Sequence, residues 1–487
     1  MKLGERLKIE DFEEFVLGKK SIEIPSFYWK KVQKSNKFLQ TLLEEGKAYY
    51  GINTGFGKLA NTSIGKNELN KLQQNLILSH ASGVGDDLPL EIVKGAMLLR
   101  LVCFLKGMSG VRENIVKMLH IMIKNEIIPA VPSKGSVGAS GDLTPSAHLA
   151  LVLLGKGFAY YKGRKMKGNE ALKKIGLKPI KLEAKEGLSL INGTQFMTSI
   201  AAISLIRIKK LINYADYTAA ASIECIGGRK DPFHQGIQKA RPYKGQKDSA
   251  QNILTLLKGS KIERTRRVQD PYSFRCSPQV HGAIRDVISF CENVIETEMN
   301  SVTDNPLLIN DKVLSGGNFH GEPIAFALDF MKIALAELSS ISERRTANLM
   351  DPEITGLEPF LTKSPGLNSG YMLTHTTAAS LVSQNKTLAY PSVVDSIPTS
   401  LNQEDHVSMG MNGALFLLEV VDNATYVIAI ELITATQALR MKGLEKTAPG
   451  IKQFLKPVLN IVPPYKRDRE HYNDIKGVRE LILKGKL

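Results

Sequence analysis

Apolar residues recur along this chain at steps of three and four. Leu69, Leu72, Leu76 and Ile77, with His80 one turn further on, make one helical stripe. Ile324, Leu328, Met331, Leu335, Leu338 and Ile341 make a second, directly behind Pro323, a residue suited to the first turn of a helix. The stretch 415–439 is apolar nearly all round, broken by Glu419, Asp422 and Glu431. A helix apolar on most faces belongs at the centre of a bundle or in a subunit interface. Alternation at a period of two is rare and short. The pattern predicts a mainly α chain with long helices in its second half. Glycine and proline mark loops at 50–57, 132–138 and 315–319, and the Lys- and Gly-rich stretch 156–181 reads as a surface excursion. These features suggest a division near residue 200. A loop-rich N-terminal lobe would cover 1–200, and a long-helix bundle with C-terminal helices would cover 201–487.

Composition narrows the choice. With 487 residues the chain is too long for one small core. Two stretches, 187–206 and 364–385, carry no charge over about the length of a membrane span. They hold Asn192, Thr194 and Gln195, and Asn368, His375, Thr376 and Gln384, which a bilayer would penalise. Buried helices around a polar site are expected there, with no membrane association. The N-terminal residues lack the apolar core of a signal peptide. The net charge of +16 comes from scattered lysines and arginines that form no nucleic-acid-binding motif, so no nucleic-acid partner is expected. Cys103, Cys225, Cys276 and Cys291 form no CxxC pair, which fits reduced thiols in a cytoplasmic protein. His148, His320, His375 and His406 lack metal-ligand spacing. They are expected to be structural, with no metal bound.

The densest chemical signal is Gly135-Ser136-Val137-Gly138-Ala139-Ser140-Gly141-Asp142-Leu143-Thr144-Pro145, a glycine-rich loop entering an apolar helix. It is not a phosphate-binding loop, because no GxxxxGK[ST] is present and Lys134 precedes the glycines. Backbone chemistry is the alternative. The amide nitrogen of Gly141 can attack the carbonyl of Ala139, since glycine has no Cβ to obstruct the bend. Loss of water from the ring and from the Ser140 side chain would leave a methylidene-imidazolone, an electrophile made without an external cofactor.

This segment resembles the signature of the histidine and aromatic amino-acid ammonia-lyases, a family that includes 2,3-aminomutases. The resemblance continues in order through Tyr50-Gly51-Ile52-Asn53-Thr54-Gly55-Phe56-Gly57, Leu78-Ser79-His80-Ala81 and Asn192-Gly193-Thr194-Gln195. It goes on through Val268-Gln269-Asp270-Pro271-Tyr272-Ser273, Asp304-Asn305-Pro306, Gly316-Gly317-Asn318-Phe319-His320 and Asn402-Gln403-Glu404-Asp405-His406. It implies an ammonia-lyase-like fold: mainly α, with a central bundle of long helices, a loop-rich N-terminal lobe and a homotetramer whose active sites combine several subunits. It also implies the 4-methylidene-imidazol-5-one made from Ala139, Ser140 and Gly141. Tyr50 would be the base, Tyr272 and Glu404 further catalytic groups. His80, Asn192, Arg275, Gln269 and Phe319 would bind substrate, with Arg275 gripping its carboxylate. Ser79-His80 and Glu404 go with a histidine substrate in this family, because a phenyl ring would leave those polar groups unpaired. Deamination of L-histidine to trans-urocanate is therefore the expected reaction. A tyrosine or phenylalanine ammonia-lyase and a 2,3-aminomutase are the alternatives. Tyr390, Thr374-His375-Thr376-Thr377, Ser277, Thr144 and Ser146 depart from the family pattern, which touches substrate range more than reaction class.

Overall fold

The computed structural model describes residues 1–3 and 5–487. It is 61% helical and 7% strand, in line with the mainly α expectation. The helices that matter below are α1 (Leu69–His80), α2 (Leu90–Leu105), α3 (Leu143–Leu153), α4 (Glu186–Ile191) and α5 (Gln195–Cys225). They are followed by α6 (Ser277–Met299), α7 (Glu322–Leu349), α8 (Met372–Leu388) and α9 (Gly410–Lys442). The described residues cluster into two compact units. One takes Met1–Ile203, Glu292–Asp329 and Pro391–Leu415; the other takes Ser204–Cys291, Phe330–Tyr390 and Phe416–Leu487. Neither unit is one continuous stretch, since the chain passes between them after Ile203, Cys291, Asp329, Tyr390 and Leu415.

Among the described residues the strands all lie in the first unit, and each is short. β1 (Val84–Asp87) pairs antiparallel with β3 (Pro132–Lys134). β2 (Ile128–Pro129) pairs with β4 (Phe158–Tyr161), which forms a hairpin with β5 (Arg164–Lys167). β6 (Leu307–Ile309) and β7 (Lys312–Leu314) make a second hairpin. The surface excursion at 156–181 is thus a hairpin followed by a short helix. Helices α1, α3 and α4 pack on one another and frame the loop that carries the triad. Short α4 is held from three sides. Arg112 pairs with Glu186 at 2.7 Å, and Lys185 pairs with Asp304 at 2.8 Å with both side chains fully buried. The buried Arg100 guanidinium of α2 donates to the carbonyls of Ser189 (2.9 Å) and Asn192 (2.6 Å).

The second unit contains the bundle. Val420, Val421, Ala424, Val427, Ile428, Ile430, Leu432 and Ile433 of α9 are all buried, as their all-round apolarity predicts. Val427 and Ile430 pack against Ala378 and Val382 of α8. Length and composition would let α9 cross a membrane. Its Glu431, however, is fully buried in a polar knot, accepting from Ser222 of α5 (2.7 Å), Ser342 of α7 (2.6 Å) and Arg345 of α7 (2.6 and 2.9 Å). His281 of α6 bonds Asp216 of α5 through Nδ1 at 2.8 Å. Arg345 Nη1 donates to His281 Nε2 at 3.3 Å, so the ring is the neutral Nδ1–H tautomer. Burial holds this histidine below its ordinary pKa despite Asp216.

Candidate active site

A cavity of about 970 Å³ opens inside the first unit. Its wall includes Tyr50, His80, Ala139, Ser140, Asn192, Phe319 and Glu404. Seven expected site residues from six separate segments therefore share one space. Gly141 lies beneath it. The glycine stands at φ +74°, and an ideal Cβ there would fall 2.2 Å from the Gly193 carbonyl oxygen; no other residue fits. Gly141 and Gly193 form a parallel bridge. Gly193 N–H donates to Ser140 O at 3.2 Å and Asp142 N–H donates to Gly193 O at 2.7 Å. The segment 192–194 thus fixes the backbone of the triad, and Arg100 fixes that segment through the Asn192 carbonyl.

Asp142 closes the triad from the other side. Its Oδ2 accepts the N–H groups of Phe196 (2.8 Å) and Met197 (2.9 Å) at the start of α5, where the helix dipole favours an anion. Complete burial nevertheless pushes its pKa up to about 7. The residues present fit a ring built from Ala139, Ser140 and Gly141. The glycine is packed where only hydrogen fits, the Ser140 side chain reaches the cavity, and Asn192 brings a buried Oδ1 with no partner.

Glu404 brings a carboxylate to the cavity wall, which Asp405 also lines. Its Oε1 accepts from Ser140 Oγ at 3.3 Å, across 264 residues of chain. Its Oε2 accepts from Thr399 Oγ1 (2.6 Å) and Ser400 Oγ (2.7 Å). His80 ends α1 with Nδ1 3.1 Å from Ser79 Oγ. Burial lowers its pKa, while the Leu76 backbone and Glu404 pull the other way, so near neutral pH it is an uncharged imidazole. The Tyr50 hydroxyl accepts from the Gly57 N–H at 3.4 Å. Burial raises the Tyr50 pKa, Gly57 opposes this and Glu404 adds to it. Among the described residues, Lys58 is the one Lys or Arg in the cavity wall.

Three expected residues lie elsewhere. Gln269, Tyr272 and Arg275 belong to the second unit, and Gln269 and Arg275 line a separate cavity of about 340 Å³ with Arg229 and Asp231. Arg275 donates to Gln269 Oε1 (3.0 Å) and to the Asp270 carbonyl (3.0 Å). Its guanidinium lies 4.4 Å from the Tyr272 ring centroid, and Tyr272 is 71% exposed. His320 and His406, expected to be structural, line the cavity and stack with ring centroids 6.0 Å apart. No cluster of metal-ligating side chains occurs among the described residues. The positions that depart from the family pattern, Tyr390, 374–377, Ser277, Thr144 and Ser146, do not line the cavity. Sequence reasoning missed Thr399, Ser400, Asp142 and Arg100. Of these, only Asp142 had a signal, its place directly after the triad.

A model of the aromatic amino acid lyase family matches residues 7–459. Histidine ammonia-lyase of Caldanaerobacter subterraneus subsp. tengcongensis is 46% identical over 99% of this chain and 96% of its own length. Among solved structures, histidine ammonia-lyase from Trypanosoma cruzi superposes with a TM-score of 0.91 at 38% identity, covering 98% of this chain and 92% of its own. Tyrosine aminomutase from Streptomyces globisporus gives a TM-score of 0.94 at 33% identity, covering 99% and 96%. With its triad, its cavity and nearly its whole length accounted for in this way, the chain belongs to the aromatic amino acid lyase family.

Proposed function

We propose that this chain is a histidine ammonia-lyase, converting L-histidine to trans-urocanate and ammonia. The observation that carries the reading is the convergence of Ser140, Tyr50, His80 and Glu404 on one cavity. The methylidene-imidazolone made from Ala139, Ser140 and Gly141 supplies the electrophile that makes the substrate amine a leaving group. Tyr50 takes the β-proton; its electrons form the carbon–carbon double bond as the carbon–nitrogen bond breaks. Asn192 hydrogen-bonds near the triad and Phe319 packs against substrate. The neutral His80 and the Glu404 carboxylate hydrogen-bond the substrate imidazole. Removing either partner from a buried hydrogen bond costs about 1–3 kcal/mol, which disfavours a phenyl ring.

Arg275, Tyr272 and Gln269 complete the site in this reading as contributions from a neighbouring copy in a cytoplasmic homotetramer. Arg275 binds the substrate carboxylate and adds a cation to a wall that already carries Lys58. Product analysis tests the assignment. Purified protein is incubated separately with L-histidine, L-tyrosine and L-phenylalanine, and products are identified by mass. Urocanate from histidine alone is expected. Cinnamate or coumarate would overturn the specificity, and a β-amino acid would make the protein an aminomutase, as the structural neighbour from Streptomyces globisporus is by name.

A further inference from the structure

The turn 399–404 is built around its own last residue. Thr399 N–H donates to Glu404 O at 3.0 Å and Glu404 N–H returns to Thr399 O at 3.4 Å. Between them Ser400, Leu401 and Asn402 stand at φ 53°, 54° and 60°, three successive non-glycine residues in the left-handed region. That conformation is unfavourable for L residues and persists where the surroundings over-determine it, most often at functional sites. Burial does not explain it, since Leu401 is 82% exposed. What the turn achieves is the placement of two hydroxyls on one carboxylate oxygen, Thr399 Oγ1 and Ser400 Oγ on Glu404 Oε2. In most Ser/Thr turns the hydroxyl serves nearby main chain; here both serve a side chain. An oxygen of an ionised carboxylate accepts about two hydrogen bonds. Oε2 is therefore saturated, and Oε1, already 3.3 Å from Ser140 Oγ, is the oxygen left for a ligand.

We propose that Thr399 and Ser400 are positioning residues for specificity: they clamp Glu404 so that Oε1 alone meets the substrate ring, and thereby set the preference for imidazole. The proposal rests on the histidine reading above. Without the clamp the long Glu404 side chain regains rotamer freedom that productive binding must then remove.

The test uses the full-length protein carrying Thr399→Val, Ser400→Ala or both, on wild-type and Glu404→Gln backgrounds. Thr399 is half-buried and Ser400 exposed, so these variants fold. Near-ultraviolet absorption reports the prosthetic group, and kcat and KM are measured for L-histidine. Absorption is expected to stay at the wild-type level. The double variant loses roughly ten- to a hundredfold in kcat/KM, within the range of coupled neighbours. Thr399→Ser restores the loss seen in Thr399→Val, and the double variant adds no further loss on the Glu404→Gln background. Unchanged kcat/KM in the double variant overturns the clamp, as does an equal loss on both backgrounds, which would mark the hydroxyls as structural. Glu404→Gln turning over histidine at the wild-type rate defeats the functional reading itself, an outcome distinct from an impaired Glu404→Gln beside unaffected clamp variants.

Discussion

Gly193→Ala probes the register of the triad directly. Gly193 stands at φ +123°, and an ideal Cβ would lie 2.5 Å from Thr303 Oγ1, 2.8 Å from Gln195 Oε1 and 3.0 Å from the Thr303 carbonyl oxygen. An L residue at such a φ costs about 1–3 kcal/mol. The Thr303 hydroxyl can swing away, but it accepts from Gln195 Nε2 at 2.9 Å, and losing that bond costs about 1 kcal/mol. The Thr303 carbonyl cannot move aside, so the segment around Gly193 shifts and strains the bonds from Gly193 to Ser140 and from Asp142 to Gly193. Those contribute about 0.5–1.5 kcal/mol each. The expected loss is about 3–5 kcal/mol of apparent unfolding free energy, in the upper tail for single substitutions. Denaturant melts measure it, and peptide mass analysis across Ala139–Gly141 measures the dehydrated fraction in the folded protein. Both should fall together. A variant within about 1 kcal/mol of wild type and fully dehydrated would refute the role given to this segment.

Ser140→Ala should abolish the near-ultraviolet absorption and nearly all activity while the fold, followed by circular dichroism, is kept; retained turnover would exclude the triad chemistry. Glu431→Gln leaves the buried Arg345 guanidinium without its counter-charge, and melts should show a loss of about 3–5 kcal/mol. Asp142→Asn tests the raised carboxyl. Its folded pKa of about 7 lies above the ordinary 3.8. The stability this group gives is therefore intact below about pH 4 and lost as pH rises through 7. The asparagine variant should gain on wild type across that interval, by up to about 4 kcal/mol, and equal pH slopes for the two would show that Asp142 ionises freely.

Much of this arrangement was legible in the sequence where one local rule sufficed. The stripe through Leu69, Leu76 and Ile77 gave α1 and put His80 at its end. The stripe from Ile324 to Ile341 gave α7, and the all-round apolarity of 415–439 gave a buried α9. Glycine density announced the turn at Gly138 and Gly141, both at positive φ. Illegible features depend on distant partners or break local rules. Nothing around Ser400-Leu401-Asn402 announces a left-handed turn, because glycine, the residue that usually marks one, is missing there. Arg100 sits among the apolar residues of the second half of α2, and its function is defined by carbonyls about ninety residues away. The family pattern named Arg275 and Tyr272 but could not show that they lie in the second unit. Stacked His320 and His406 had no spacing signal, since they meet only in the fold.

The distance in sequence between Ser140 and its carboxylate has a consequence for biosynthesis. A chain arrested on the ribosome shortly after residue 200 already holds Ala139, Ser140, Gly141 and their partner Gly193. It does not yet hold Glu404 or the two hydroxyls that aim it. The wall around Ser140 is therefore completed only after most of the chain has been made, when residues 400–406 join those of the first two hundred.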